Sequence, residues 1–189
     1  MGQLRSDTNY LVSGLERSGT SMMMQILARG GVHVAFDRCR EADIHNPKGY
    51  YELEGGKIIN RLMEGTFPFE EHQGTFIKIT AYGLKYLPPG CYKVIYMLRD
   101  LDEIMDSMEK MSGDVSREDE KPAFRRLNRF VKDLLRSRED IDVLMVQYSD
   151  VVEHPREEIE RINRFLDGAL DVEEGVAAVD PDLYRNVKK

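Results

Sequence analysis

Apolar and β-branched residues gather in five short runs, at residues 10–13, 32–36, 75–80, 92–98 and 143–148. Runs of this length, rich in side chains that suit a pleated surface, read as strands. Between them the period changes. Met23, Ile26 and Leu27 repeat at i, i+3 and i+4, which predicts a helix over residues 20–29 that the Gly30-Gly31 pair ends. Residues 57–64 and 101–111 read as a second and a third helix. Pro122 is expected to open a fourth, with Phe124, Leu127, Val131, Leu134 and Leu135 on one stripe. Pro155 is expected to open a fifth, with Ile159, Ile162, Phe165 and Leu166 inward and Gly168 as its cap. Residues 112–121 are charged and nearly free of apolar side chains, which predicts a mobile loop. Strands alternating with helices in this way form a parallel sheet covered by helices, so the fold class is α/β.

Composition narrows the picture without changing it. With 189 residues and 41% hydrophobic content, the chain is expected to form a single domain over residues 1–189 whose core needs neither disulfide nor metal. Its two cysteines, Cys39 and Cys91, are far apart and lack metal-ligand spacing. No apolar run approaches the length of a membrane span, and the first residues lack the order of a secretory leader, so the expected location is cytoplasmic, with reduced thiols. The net charge of −7 is uneven: 12 basic and 11 acidic side chains in residues 1–100, 15 and 23 in residues 101–189. The general basicity that grips a nucleic-acid backbone is missing, so no nucleic-acid partner is expected, and an anionic ligand must be caught by a local site.

The first candidate for such a site is Gly14-Leu15-Glu16-Arg17-Ser18-Gly19-Thr20-Ser21. Its glycines keep the spacing of a phosphate-binding loop between a strand and a helix, where backbone N–H groups and the helix N-terminus together make a nest for an anion. A nucleotide triphosphatase needs a lysine where Thr20 stands, to reach the β- and γ-phosphates. Here the nearest cation is Arg17, inside the loop, which suits a nucleotide with a shorter phosphate chain. The loop implies a P-loop NTPase-like three-layer fold, a central, mainly parallel sheet flanked by helices. The second candidate is Arg99, at the end of the run 92–98, with Ser107 eight residues on. An arginine at the carboxyl end of a strand faces the crevice where α/β proteins bind ligands. Ser107 lies three residues after Ile104 and four before Met111, on the packed side of its helix, while Asp102, Asp106 and Glu109 are expected to take the solvent. Arginine and hydroxyl together would clamp a second anionic group.

Taken together, these residues resemble the sulfotransferase family that uses 3′-phosphoadenosine 5′-phosphosulfate (PAPS). Arg17-Ser18-Gly19-Thr20-Ser21 is similar to the family's 5′-phosphosulfate loop, and Arg99 with Ser107 to its 3′-phosphate clamp. Tyr148-Ser149-Asp150-Val151-Val152-Glu153-His154-Pro155, running into Glu158-Ile159 and Phe165-Leu166, resembles its strand-to-helix segment, which implies Tyr148 against the adenine. Asn46-Pro47-Lys48-Gly49-Tyr50-Tyr51-Glu52 and Asp180-Pro181-Asp182-Leu183-Tyr184-Arg185 are similar to segments of small bacterial members. There are departures. Where cytosolic members carry Lys-x-His, this chain has Lys78-Ile79-Thr80, so the histidine base is missing. The tryptophan that stacks on adenine has no counterpart, and the later Arg-Lys-Gly loop is absent, leaving Arg185, Lys188 or Lys189 to supply its charge.

The resemblance implies transfer of a sulfuryl group to a hydroxyl or amine of a small-molecule or carbohydrate acceptor. As in phosphoryl transfer, positioning and preorganised donors would do most of the catalysis. The loop N–H groups, Arg17, Thr20 and Ser21 would hold the 5′ end, Lys78 would neutralise the bridging oxygen, and no metal is required. Glu52 is the first choice as base, since some members use a glutamate and Gly49-Tyr50-Tyr51 would turn it toward the crevice; His45 is the second. His33, His72 and His154 read as structural or surface residues. Tyr50, Tyr51, Phe67, Phe69, Tyr82 and Tyr86 are candidates for an aromatic acceptor pocket or for plain core. Two other readings stand beside this one, a kinase-like phosphotransferase using ATP and a nucleotide-binding protein without chemistry.

Overall fold

The computed structural model describes residues 2–37, 49–113 and 116–180. Strands β1 (Asn9–Gly14), β2 (Phe76–Thr80), β3 (Tyr92–Leu98) and β4 (Ile141–Gln147) pair in the order β2-β1-β3-β4, and every pairing is parallel. Gly14 sits level with Thr80 on one side and Met97 on the other. The register therefore brings the start of the glycine loop, Lys78 and the approach to Arg99 to one edge of the sheet. Alternation along β1 sends Tyr10 and Val12 to one face and Leu11 to the other.

On the first face Tyr10, Val12, Ile95 and Val146 pack against α1 (Thr20–Arg29), α5 (Tyr148–Glu153) and α6 (Pro155–Phe165) through Met23, Ile26, Leu27, Val151, Ile159 and Ile162; α7 (Val172–Ala178) closes over α1 and α6. On the second face Leu11, Ile77, Ile79, Val94 and Tyr96 meet α2 (Ile58–Met63), α3 (Leu101–Ser112) and α4 (Arg117–Ser137) through Ile58, Leu62, Ile104, Met105, Val131 and Leu135. This is the three-layer α/β arrangement expected. Each fully buried side chain of this kind contributes about 1.5–3 kcal/mol relative to exposure, so the two cores hold the shared edge rigidly.

Four expectations are corrected. Residues 32–36 form no strand but a single bridge, Val34 to Phe76; after Ala35 N–H bonds Phe76 O the chain turns away, and Asp37 N–H goes to Glu52 O instead. β4 begins at Ile141 and ends at Gln147, and Tyr148 opens the short helix α5. α7 was not expected either: seven residues carry too little periodicity, and its marker is Asp171, whose carboxylate caps Glu174 N–H at 3.0 Å.

The fourth correction concerns α4, which starts at Arg117, inside the stretch read as a loop, so that Pro122 lies within the helix. The tolerance has a tertiary cause. Arg117 bonds Asp106 and Glu109, and Lys121 bonds Asp102, tying the first turns to α3; the three acids expected in solvent are thus engaged. Glu118, Asp119 and Glu120 also suit the positive end of the helix dipole. At the end of α6, Asp167 N–H bonds Arg164 O (3.2 Å) and Gly168 N–H bonds Asn163 O (2.9 Å), a Schellman cap whose two left-handed residues are Asp167 (φ 55°) and Gly168 (φ 82°).

Candidate active site

The loop from β1 to α1 is shaped by contacts that leave no room for side chains. A Cβ on Gly14 would stand 2.4 Å from Ser18 Oγ and 2.9 Å from Met97 O. Ser18 Oγ–H in turn donates to Leu15 O at 2.7 Å and closes the turn. Arg17 is left-handed (φ 63°), as is Gly19 (φ 100°), where a Cβ would lie 2.4 Å from Tyr148 Cδ2. Gly19 caps α1 without a side-chain hydrogen bond, and no acid lies in the first turn. The N–H groups of that turn, which have no acceptor within the helix, are thus available to an anion.

The two candidate anion sites read from the sequence are joined in space. Arg17 Nε donates to Ser107 Oγ at 2.9 Å across 90 residues, and Arg99 Nη1 donates to Arg17 O at 3.0 Å across 82. Arg99 Nε pairs with Glu103 Oε2 at 3.0 Å, with side chains only 8% and 10% exposed. The Arg99 guanidinium also lies 4.2 Å from the centroid of the Tyr148 ring, a cation–π contact. Tyr148 is buried between this cation and Gly19, and burial pushes its phenol above the ordinary value. Ser107 is buried as expected, but its hydroxyl meets Arg17, so Arg17 links the loop to the clamp. Glu103 was missed, although its i+4 spacing from Arg99 was a readable signal.

Toward the other side of the loop stands a second cluster. Lys78 Nζ, from β2, donates to Glu52 Oε1 (2.9 Å), to Tyr50 O (2.8 Å) and to Ser21 Oγ (3.1 Å). Ser21 Oγ–H itself donates to Tyr50 O at 3.3 Å. Gly49 (φ 89°) and Tyr51 (φ 52°) bend the approach to Glu52, and a Cβ on Gly56 would stand 2.9 Å from Glu52 Oε2. Glu52, Lys78 and Ser21, read separately from the sequence, are thus in direct contact. The carbonyl of Tyr50, which accepts from both Lys78 and Ser21, is a member of this cluster that no sequence signal marks.

The profile of the sulfotransferase domain matches residues 7–189. The chain belongs to the sulfotransferase domain family. Among solved structures, this sulfotransferase domain is similar to the sulfotransferase domain of the Synechococcus PCC 7002 olefin synthase, with 19% identity, 100% of this chain and 82% of that one covered, and a TM-score of 0.60. It is also similar to retinol dehydratase in complex with androsterone and the inactive cofactor PAP (18%, 97% and 67%, TM-score 0.57) and to mouse sulfotransferase SULT7A1 complexed with PAP (14%, 98% and 68%, TM-score 0.55). At these identities the likeness speaks for the fold. No curated protein matches the chain.

Other expected residues of this sulfotransferase domain have different stations. Thr80 is exposed and caps the 3₁₀ turn Ala81–Tyr86. Phe67 and Phe69 belong to the core, Tyr50 is buried, Tyr82 and Tyr86 flank Lys85 at 3.8 and 4.7 Å, and Tyr51 pairs with exposed Phe36 at 4.8 Å. His33 is exposed, His72 stacks on Phe67, and His154 precedes α6. His45, with Asn46, Pro47 and Lys48, lies outside the described residues, as do Arg185, Lys188, Lys189 and Cys39. Among the described residues no group of three or more His, Cys, Asp or Glu is placed to hold a metal, and no helix is long and apolar enough to cross a membrane.

Proposed function

We propose that this domain transfers a sulfuryl group from PAPS to a hydroxyl or amine of a small-molecule or carbohydrate acceptor, in line and without a metal. The observation that carries this reading is Arg17, which is bonded to Ser107 through its side chain and to Arg99 through its carbonyl, so that a loop and a clamp form one cationic surface. The donor set also fits a nucleotide with two separate anionic ends: an uncapped helix start without acids beside it, two guanidiniums and several hydroxyls. PAPS, when bound, supplies an activated sulfuryl group and leaves as adenosine 3′,5′-bisphosphate (PAP).

The chain's own groups then divide the work. The N–H groups of the loop, with Arg17, Ser18, Gly19, Thr20 and Ser21, hold the 5′ end, and Arg99 and Ser107 hold the 3′-phosphate. Tyr148 borders the adenosine, supporting Arg99 and the loop; Arg185 is retained as a candidate cation of the same side. Lys78 neutralises charge that develops on the bridging oxygen, which is worth most in a site shielded from water. Glu52 accepts the proton of the acceptor at a carboxylate oxygen, a role the Thr80 methyl and hydroxyl cannot fill; His45 is the alternative base.

The test is calorimetric binding of PAP beside ADP and ATP, first without magnesium. Micromolar affinity for PAP with weak binding of the other two is expected. No binding of PAP, or preference for ATP once magnesium is added, would replace this reading by the kinase-like one. PAP binding without sulfation of any member of a broad hydroxyl and amine panel would leave a nucleotide-binding protein.

A further inference from the structure

Helix α4 treats its basic residues in two ways. At its start Arg117 and Lys121 are matched by acids of α3, and just beyond its end Arg138 is matched by Asp140. Residues 122–137 between them hold five basic side chains, Arg125, Arg126, Arg129, Lys132 and Arg136, against one acidic, Asp133. Among the described residues none of these five has an ion pair or hydrogen bond, and the four arginines are exposed. Arg125, Arg129, Lys132 and Arg136 follow i, i+4, i+7 and i+11, a stripe about 16 Å long at 1.5 Å per residue. Like charges at this spacing disfavour a helix; the one acid of the segment, Asp133, lies four residues after Arg129 and three before Arg136, and among the described residues it forms no ion pair with either. Phe130, 51% exposed, stands on the adjoining ridge, four residues after Arg126.

We propose that this face of α4 docks an acidic helical segment of a partner protein. Four arginines to one lysine beside an exposed aromatic is the composition of a protein interface, where arginine and aromatics are enriched and lysine is depleted. A guanidinium fork pairs with a carboxylate through two parallel bonds, and carboxylates spaced at three and four residues on a helix match the stripe. A membrane is the poorer fit: the apolar stripe of α4, Phe124, Leu127, Val131 and Leu135, packs into the core, leaving Phe130 alone to insert. A nucleic-acid duplex carries its charge well beyond a stripe of about 16 Å and would meet the acidic remainder of a chain of net charge −7, whereas a short acidic helix is confined to the stripe.

The probe is a synthetic helical peptide with Glu at i, i+4, i+7 and i+11 and one Leu, beside a peptide of the same composition in scrambled order, anionic phospholipid vesicles and a sulfated polysaccharide. Fluorescence anisotropy with the full chain is expected to show the patterned peptide binding roughly tenfold or more tighter than the scrambled one, weakening as salt rises. The variant Arg125→Glu/Arg129→Glu/Arg136→Glu should lose that binding with its melting temperature and PAP affinity unchanged. Should it fail to fold, Arg125→Gln/Arg129→Gln/Arg136→Gln carries the same comparison. Equal binding to wild type and variant, no preference over the scrambled peptide, or stronger binding to vesicles or polysaccharide overturns the proposal. PAP affinity is read separately, so the outcome is independent of the sulfotransferase reading.

Discussion

The two clusters beside the glycine loop are built on opposite plans. The cluster of Arg17, Arg99, Ser107 and Tyr148 draws on the ends of interior strands β1 and β3, on the residue that follows β4, and on α3; Ser107 and Tyr148 are buried, and the Arg99 side chain is only 8% exposed. Its members are locked to one another and to Glu103, so the surface proposed to meet an anion is already in place. The cluster of Glu52, Lys78 and Ser21 stands on β2, at the end of the strand order, and on a loop bent by two left-handed residues. Its bonds converge on one ammonium, a point charge whose donors can be redirected, whereas a guanidinium held at Nε and Nη1 cannot turn. On the function proposed above, the difference is a division: recognition would be preorganised by the core, and charge would be moved where the scaffold is freer to exchange partners.

The comparison breaks most sharply at Arg99. Arg99→Ala should weaken PAP binding by about 100-fold or more and, because it strands the buried Glu103 carboxylate, lower stability by about 3–5 kcal/mol. Calorimetry and thermal unfolding would read the two effects, and unchanged PAP affinity would dissociate Arg99 from the clamp. On the other side, Lys78→Met and Glu52→Gln should each lower kcat by about 10²–10⁴-fold while PAP affinity stays within about threefold. If Lys78→Met weakened PAP as much as Arg99→Ala does, the two clusters would be one binding unit and the division would fail.

Gly19→Ala tests the join between loop and clamp. The added Cβ meets the Tyr148 ring at 2.4 Å in a left-handed backbone, so affinity for PAP should fall about tenfold and the melting temperature by a few degrees. The smallest effect is expected from Tyr148→Phe at neutral pH. Because burial raises the Tyr148 phenol in the fold, its neutral form contributes stability that is complete below the unfolded value near 10 and is lost as pH rises through the higher folded value. Removing the hydroxyl should therefore flatten the alkaline limb of the stability curve and leave PAP affinity within about twofold, since the ring still faces Arg99. An alkaline limb identical to wild type would show that this phenol does not titrate on unfolding.

Much of the scaffold was legible because it is written in local periodicity. Residues 20–29 and 92–98 are read with the bounds of α1 and β3, since glycines and charges end both runs abruptly. The start of α4 was not legible, because residues 117–121 are polar on every side and their helix depends on acids eight to nineteen positions earlier. Residues 32–36 failed in the opposite sense: they have the composition of a strand, but Asp37 finds its backbone partner in Glu52, away from the sheet.

The sequence by itself determined the layers, the loop between β1 and α1, and the absence of a lysine at Thr20, because spacing along a chain reports which faces are apolar and where the backbone must turn. Only the tertiary structure decided that Arg17 meets Ser107, that Glu103 sits on Arg99, and that Glu52 reaches Lys78. Periodicity shows that a face will be buried; which distant side chain it meets depends on sheet register and strand order, since the bond from Arg17 to Ser107 joins residues 90 positions apart.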